Sequence, residues 1–347
     1  MTSPRVLSTR ELNRAMLARQ LLLERVPLSI PEALDRIAGI QNQYAPNAYL
    51  RLFAMLDGFR RDDLTLAYES GAVVQGTLLR GTIHTVSAAD YRPIVGAIRR
   101  SRREWSARIY RDDDGDRARL VKRVRDALRG RQVARAELLR LLEGASRAAG
   151  STIDTDAELL RVPPSGTWEH RRAHTFGLAR DVIGPGRVPP EPESIDHLIR
   201  RYLGAFGPAP SRDIQAFTNL SAADIKPSLG RLDLERYRDE SGNELLDVPG
   251  APLPPPDTPA PVRFLPTWDG MLLVHARRTG ILDEPYRKVI FDTKVPPSFP
   301  TVLVDGRVVG TWKHVDGRVT VDLFEAVSRA AQREIDDESE RVAAFHA

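Results

Sequence analysis

The 347-residue chain contains no cysteine. That excludes disulfides, thiol nucleophiles, iron–sulfur clusters and every cysteine-based zinc site. Lysine is nearly as scarce: of 51 basic residues only Lys122, Lys226, Lys288, Lys294 and Lys313 are lysine. No apolar run approaches the ~18 residues needed to span a bilayer, so no membrane association is expected. The N-terminus, Met1-Thr2-Ser3-Pro4-Arg5, runs straight into a polar helical pattern without a signal peptide, and a cytoplasmic location follows as the expectation. Neither a P-loop nor a Gly-x-Gly-x-x-Gly fingerprint occurs, and Ser165-Gly166 lacks the preceding glycine of a nucleophile elbow, so no cofactor is expected. His170 and His174 have the spacing of helical zinc ligands. No glutamate stands at the base position between them, and Arg171 and Arg172 repel a cation, so no metal is expected either.

What the chain has in abundance is arginine. The net charge is only +4, but between Arg99 and Arg135 there are 14 basic and 6 acidic residues. Guanidinium forks suit phosphate, which makes this stretch a candidate nucleic-acid face; a solvated helix pair accounts for it equally well.

Four segments separate along the chain. In residues 5–112, Ser8 and Glu11 form a capping-box pattern ahead of Leu12, Met16, Leu17 and Leu21. A second helix starts at Ser29-Ile30-Pro31, a third covers Asn47 to Leu56, and a fourth runs from Arg60 to about Ser70. The period then changes, and Val73 to Leu79 and Thr82 to Val86 read as two strands. Helices closed by a hairpin describe a winged helix-turn-helix. Residues 113–188 repeat the plan, with helices expected at 116–129, 134–149 and 154–161 and a turn or wing at 162–168. Residues 189–250 show it most clearly: helices over Ile195 to Phe206, Ser211 to Thr218 and Ser221 to Leu229, then a hairpin around Asp239 to Asn243. In 251–347 a Pro-rich linker (251–262) leads into hairpins at Asp305-Gly306 and Asp316-Gly317, a helix from Leu323 to Arg333, and a frayed end. The fold class is therefore α+β, with three tandem winged helices and a β-rich C-terminal segment. Such an array suggests duplex DNA as partner.

One short stretch is unusual: Gly39-Ile40-Gln41-Asn42-Gln43-Tyr44-Ala45-Pro46-Asn47. Pro46 disfavours helix at Ala45. In a helix, residues i and i+2 point about 200° apart, at ~100° per residue; in extended chain they share a face. If the helix has unwound at Gln41, the amides of Gln41 and Gln43 point into one cleft. The alternative is helix C-capping by polar side chains.

Here the sequence resembles a known family. Residues 11–100 look like the winged-helix DNA glycosylases of the AlkZ/YcaQ type, on Leu17-Ala18-Arg19-Gln20-Leu21-Leu22-Leu23, Ile40 to Asn47, and Gln75-Gly76-Thr77-Leu78-Leu79-Arg80-Gly81-Thr82-Ile83-His84. Val162 to Trp168 and Val304 to Trp312 extend the resemblance over most of the chain. It implies a C-shaped channel for duplex DNA and metal-free hydrolysis of N-glycosidic bonds at alkylated purines. The family's catalytic motif is Gln-Φ-Gln in the AlkZ branch and Gln-Φ-Asp in the YcaQ branch, Φ being apolar. Gln41 and Gln43 match the AlkZ branch, whose association with self-resistance implies bulky adducts and interstrand crosslinks from a genotoxic natural product as substrates. Asn42 departs from Φ.

The chemistry of the motif stands by itself. A side-chain amide is no base near pH 7, but two of them orient a water. That suffices only for a good leaving group, such as guanine alkylated at N7, which carries a positive charge and departs neutral. The expectation is a monofunctional glycosylase for cationic N7-alkylated purines, with Gln41 and Gln43 catalytic. The competing reading is a non-catalytic winged-helix transcription regulator, usually a dimer with a sensor domain; three modules in one chain point instead to a monomer. Arg277 and Arg278, in a basic loop, are candidate minor-groove contacts or an exposed hairpin tip. His84 is a candidate DNA contact or a core-edge histidine.

Overall fold

The computed structural model of the chain describes residues 4–111, 117–172, 174–273, 280–291 and 298–347. Helix starts follow the capping residues. Thr9–Arg19 begins at Ser8 and Ile30–Ile37 at Ser29, each with a complete capping box closed by Glu11 or Glu32. Pro46–Met55 and Arg61–Glu69 follow, then the antiparallel strands Val73–Thr77 and Ile83–Ser87. The 23-residue helix Ala88–Tyr110 leads into the second segment.

There the pattern departs from expectation. The helix expected over 134–149 is two shorter ones, Arg135–Leu141 and Arg147–Ser151, with Gly144 between them at φ 75°. The one expected over 154–161 is only Ile153–Ala157. Glu158 turns the chain left-handed at φ 59°, and Leu159–Arg161 is a strand paired with Thr175–Leu178. A short apolar run reads equally as buried helix or buried strand, and here the pairing partner decides. The third segment keeps its expected order: Glu191–Phe206, Ser211–Thr218, Ala222–Arg231, then the hairpin Glu235–Asp239 with Glu244–Asp247.

The segments interlock through their strands. One six-stranded sheet takes Ile40–Gln41, Ile83–Ser87 and Val73–Thr77 from the first and Leu159–Arg161, Thr175–Leu178 and Val133–Ala134 from the second, with antiparallel pairing throughout. Val6–Leu7 adds in parallel to the hairpin of the third. Arg263–Leu265, Thr301–Val304, Arg307–Val315 and Arg318–Leu323 form a four-stranded antiparallel sheet.

The C-terminal helix is Arg329–His346, not 323–333, and the chain end does not fray. Ile335 and Val342, about two turns apart on one face, are buried, and Phe345 stacks on Phe53 at 4.4 Å between ring centroids. One apolar core runs from Met16 to Val342, and a smaller one around Val124, Leu128, Ile153 and Phe176 belongs to the second segment.

Several quoted motifs serve this assembly. Arg19 makes a buried two-bond pair with Asp247 at 2.7 and 2.8 Å, and Gln20 donates to the Ala205 carbonyl at 3.0 Å. Arg14, fully buried, reaches Asp305 in the Asp-Gly turn, and Trp312 donates from Nε1 to the Leu265 carbonyl at 2.9 Å. Removing one partner from such a pair leaves a buried charge uncompensated, so these arginines hold first, third and C-terminal segments in register.

Candidate active site

The helix Ile30–Ile37 ends in two successive left-handed residues, Ala38 at φ 60° and Gly39 at φ 78°. That reverses the chain and lays Ile40–Gln41 along Ile83–Ser87, with Ile40 opposite Thr85 and Gln41 opposite His84. Asn42 continues the ladder, its N–H donating to the Ile83 carbonyl at 2.7 Å. The backbone is thus extended at Gln41 and Asn42 and bends at Gln43, with Gln41 half-buried, Asn42 buried and Gln43 exposed.

Asn42 is 2% exposed and donates to Thr85 Oγ1 at 3.1 Å. Gln75 Oε1 lies 3.4 Å from the same amide, and Tyr68 Oη is bonded to Thr85 Oγ1 at 2.7 Å. At the normally apolar middle position the amide nitrogen of Asn42 thus finds acceptors on the adjacent strands, while its buried Oδ1 has no hydrogen-bond partner among the described residues.

Both glutamines have their carbonyl oxygens fixed from behind. Gln41 Oε1 accepts from Arg80 Nη2 at 2.8 Å, and Gln43 Oε1 accepts from the Ile83 N–H at 3.1 Å. Each oxygen keeps a second lone pair. Gln41 is half-buried and Gln43 exposed. Gln43 lines a groove of about 730 Å³. Arg135, Arg161, Arg171 and Arg172 also line it, and Asp154 is the one carboxylate among its described lining residues. Asp154 is itself paired with Arg102 at 3.3 Å. Tyr44, 45% exposed, stands at the rim with its hydroxyl accepting from Arg171 at 2.7 Å. The groove is therefore basic, and Asp154 and His174 are the non-arginine residues with an acid or base side chain among its described lining residues.

His84 is 2% exposed, with Nδ1 3.0 Å from the Thr82 carbonyl. Burial, reinforced by the Arg80 charge, pushes its pKa down to about 3, so the ring is neutral. His84 stands directly opposite Gln41 in the strand pair, so its side chain is on the same face of the sheet, and it is buried: this is the core-edge alternative and not an exposed DNA contact. Arg277 and Arg278 lie outside the described residues. Residues 169–172 are not helical, so His170 and His174 do not share a helix face.

Much of the arginine-rich stretch is internal wiring. Arg100 bonds Glu104, Glu191 and Asp224; Arg103 and Arg117 share Asp156; Arg99 and Arg125 share Glu158. Its surplus is balanced by acids from other segments, which a local charge count cannot register. Arg135 is the member of that stretch that lines the groove.

Sequence reasoning missed Arg80. It sits in the turn between the two hairpin strands at φ 54°, a conformation that costs an L-residue about 1–2 kcal/mol. Its guanidinium donates to the Phe217 carbonyl as well as to Gln41, and lies 5.3 Å from the centre of the Phe217 ring. The only sequence signal was an Arg-Gly turn; both contacts are long-range.

An α+β scaffold that pins the amides of Gln41 and Gln43 from behind, with Gln43 on an arginine-lined groove, is the setting of a nucleic-acid-processing enzyme. The chain matches the family of AlkZ-like DNA glycosylases over residues 34–345 and belongs to it; it is a DNA glycosylase. It is 23% identical over 351 residues to the interstrand DNA cross-link repair glycosylase of Streptomyces sahachiroi, covering 94% of this chain and 93% of that one. Its fold is similar to the solved structure of Streptomyces sahachiroi DNA glycosylase AlkZ, with a TM-score of 0.84 at 20% identity, over 98% of this chain and 97% of the other.

Proposed function

We propose that the protein is a monofunctional glycosylase that hydrolyses the N-glycosidic bond of cationic N7-alkylated purines in duplex DNA, interstrand crosslinks and bulky adducts included. The observation that carries this reading is the pair Gln41 and Gln43, neutral, fixed from behind, and without a free carboxylate beside them. The second lone pairs of their two oxygens accept the two hydrogens of one water, which turns a water lone pair toward C1′ of the lesion. The N9–C1′ bond breaks, its electrons neutralise the purinium, water oxygen bonds C1′, and the proton passes to solvent. No acid is needed because the base leaves neutral. No lysine stands among the described lining residues, so no amine is placed to form a Schiff base with the sugar.

The crosslink substrate is that of the Streptomyces sahachiroi relative, an interstrand DNA cross-link repair glycosylase, and is consistent with an open groove rather than a closed base pocket. Residues 5–112, 113–188 and 189–250 read as three winged helices around a C-shaped channel, followed by the 251–347 segment. A monomer acting in the cytoplasm at the nucleoid completes the reading. Among the described residues no helix is long and apolar enough to cross a membrane. The transcription-regulator alternative is not favoured, because the chain belongs to a glycosylase family.

The test is a duplex carrying one N7-alkylguanine, incubated with protein and chelator. Wild type releases the base and leaves hypoxanthine uncut. Gln41→Ala and Gln43→Ala each slow single-turnover excision by ~10–10³-fold, equivalent to about 1.4–4 kcal/mol, with affinity for undamaged duplex nearly intact. The double variant costs less than the sum, since both residues hold one water. Wild-type rates in both single variants overturn the assignment.

A further inference from the structure

Arg80 is an expensive residue where it stands. Its φ of 54° suits glycine or asparagine better than arginine, and its charge is half-buried with no carboxylate partner among the described residues. Its contacts all serve one end. The Phe217 carbonyl and ring, on the helix Ser211–Thr218, hold the fork in place. Phe217 is itself fixed, 4% exposed and packed against Tyr202 and Phe206 at 5.0 and 5.4 Å. The free arm of the fork then meets Gln41 Oε1 at 2.8 Å.

Resting on the reading above, we propose that Arg80 is the positioning residue for Gln41, selecting one of its two amide orientations and tying it to the third segment. A guanidinium donates and never accepts, so it accepts only the amide rotamer whose oxygen faces it. Without it, a half-exposed glutamine rotates about its χ angles and both flips of the amide are populated, so the water is held only part of the time. The charge-assisted bond is also stronger than a neutral one, which keeps the oxygen in place while it accepts from water. Gln43 needs no such arm, because the Ile83 backbone N–H does the same for it.

The experiment is a double-mutant cycle read by single-turnover excision of N7-alkylguanine, with Kd for undamaged duplex measured beside it. Arg80→Gly fits the left-handed backbone, so the turn is kept while the fork is lost. Arg80→Lys keeps the charge but offers one nitrogen in place of two diverging arms. Arg80→Gly slows excision about 10–100-fold in the wild-type background and no more than about 2-fold in a Gln41→Ala background, because the residue acts through Gln41. Arg80→Lys falls between, and Kd for undamaged duplex stays within about 3-fold in all variants. Added methylguanidinium restores part of the rate to Arg80→Gly and none to Gln41→Ala. An independent readout is the Gln41 side-chain amide NMR signal in the free protein, which broadens or shifts in Arg80→Gly.

A full Arg80→Gly penalty persisting in Gln41→Ala overturns the proposal, as does a loss confined to Kd, which makes Arg80 a phosphate contact. An unchanged Gln41 signal overturns it too. Failure of wild-type excision refutes the glycosylase substrate instead, and leaves the NMR test of Arg80 standing.

Discussion

His84 shows how much of the site's character is decided at single residues. Its ring pairs across the strand from Gln41, and burial brings its pKa from 6.5 to about 3. Between those values the unfolded chain takes up a proton that the folded protein refuses. The stability His84 confers is therefore complete above pH 6.5 and lost as pH falls, at up to about 1.4 kcal/mol per pH unit. Urea unfolding at pH 7, 6 and 5 should show a steeper decline for wild type than for His84→Gln, by close to one proton; equal slopes refute the burial argument. The ring stays neutral from pH 5.5 to 8, so it contributes no step to the excision rate across that interval. The glutamines were readable as a pair because they stand at i, i+2 spacing in one short motif. Arg80 was not, because its partner lies 39 residues away in sequence.

At the scale of the element, the decisive event is the end of the helix Ile30–Ile37. Its start was legible from Ser29 and Glu32, since a capping box is a local pattern. Its end depends on Gly39, which has φ 78° and sits so close to the next strand that a Cβ would meet Val86 Cγ1 at 2.8 Å and the Thr85 carbonyl at 3.0 Å. Gly39→Ala combines left-handed strain with overpacking, and should cost about 1–3 kcal/mol in denaturant unfolding. It should also slow excision by displacing Ile40–Gln41, with affinity for undamaged duplex kept within a few-fold. A variant as stable and as fast as wild type shows that the helix end is not what aims the motif. Elements whose identity rests on a partner were less legible. Leu159–Arg161 became a strand because Thr175–Leu178 was there to pair with it, and the last helix formed beyond Ser328, whose side chain caps it.

At the scale of the molecule, charge is sorted into two classes. Arg100 and its neighbours are consumed by acids brought from elsewhere, whereas Arg135 and Arg172 are exposed in the groove. Each groove arginine that neutralises a phosphate contributes about 0.9 to the slope of log affinity against log salt. Arg135→Ala with Arg172→Ala should lower that slope by up to ~2 and weaken binding to all duplexes alike. Arg100→Gln should leave it unchanged. The comparison is made by titrating undamaged duplex at several salt concentrations, and a slope that ignores the groove pair removes it from the DNA path.

Composition, capping residues, turn dipeptides and the Gln-x-Gln spacing determined by themselves the chemistry that is excluded, most helix starts, the four hairpins and the candidate pair. These are local properties, fixed by a residue and its nearest neighbours along the chain. Tertiary structure alone decided that strands of the first two segments form one sheet, that the arginine-rich stretch is largely neutralised, that His84 is neutral and buried, and that Arg80 holds Gln41. Each of those depends on groups far apart in sequence, and burial, field and pairing exist only once folding has brought them together.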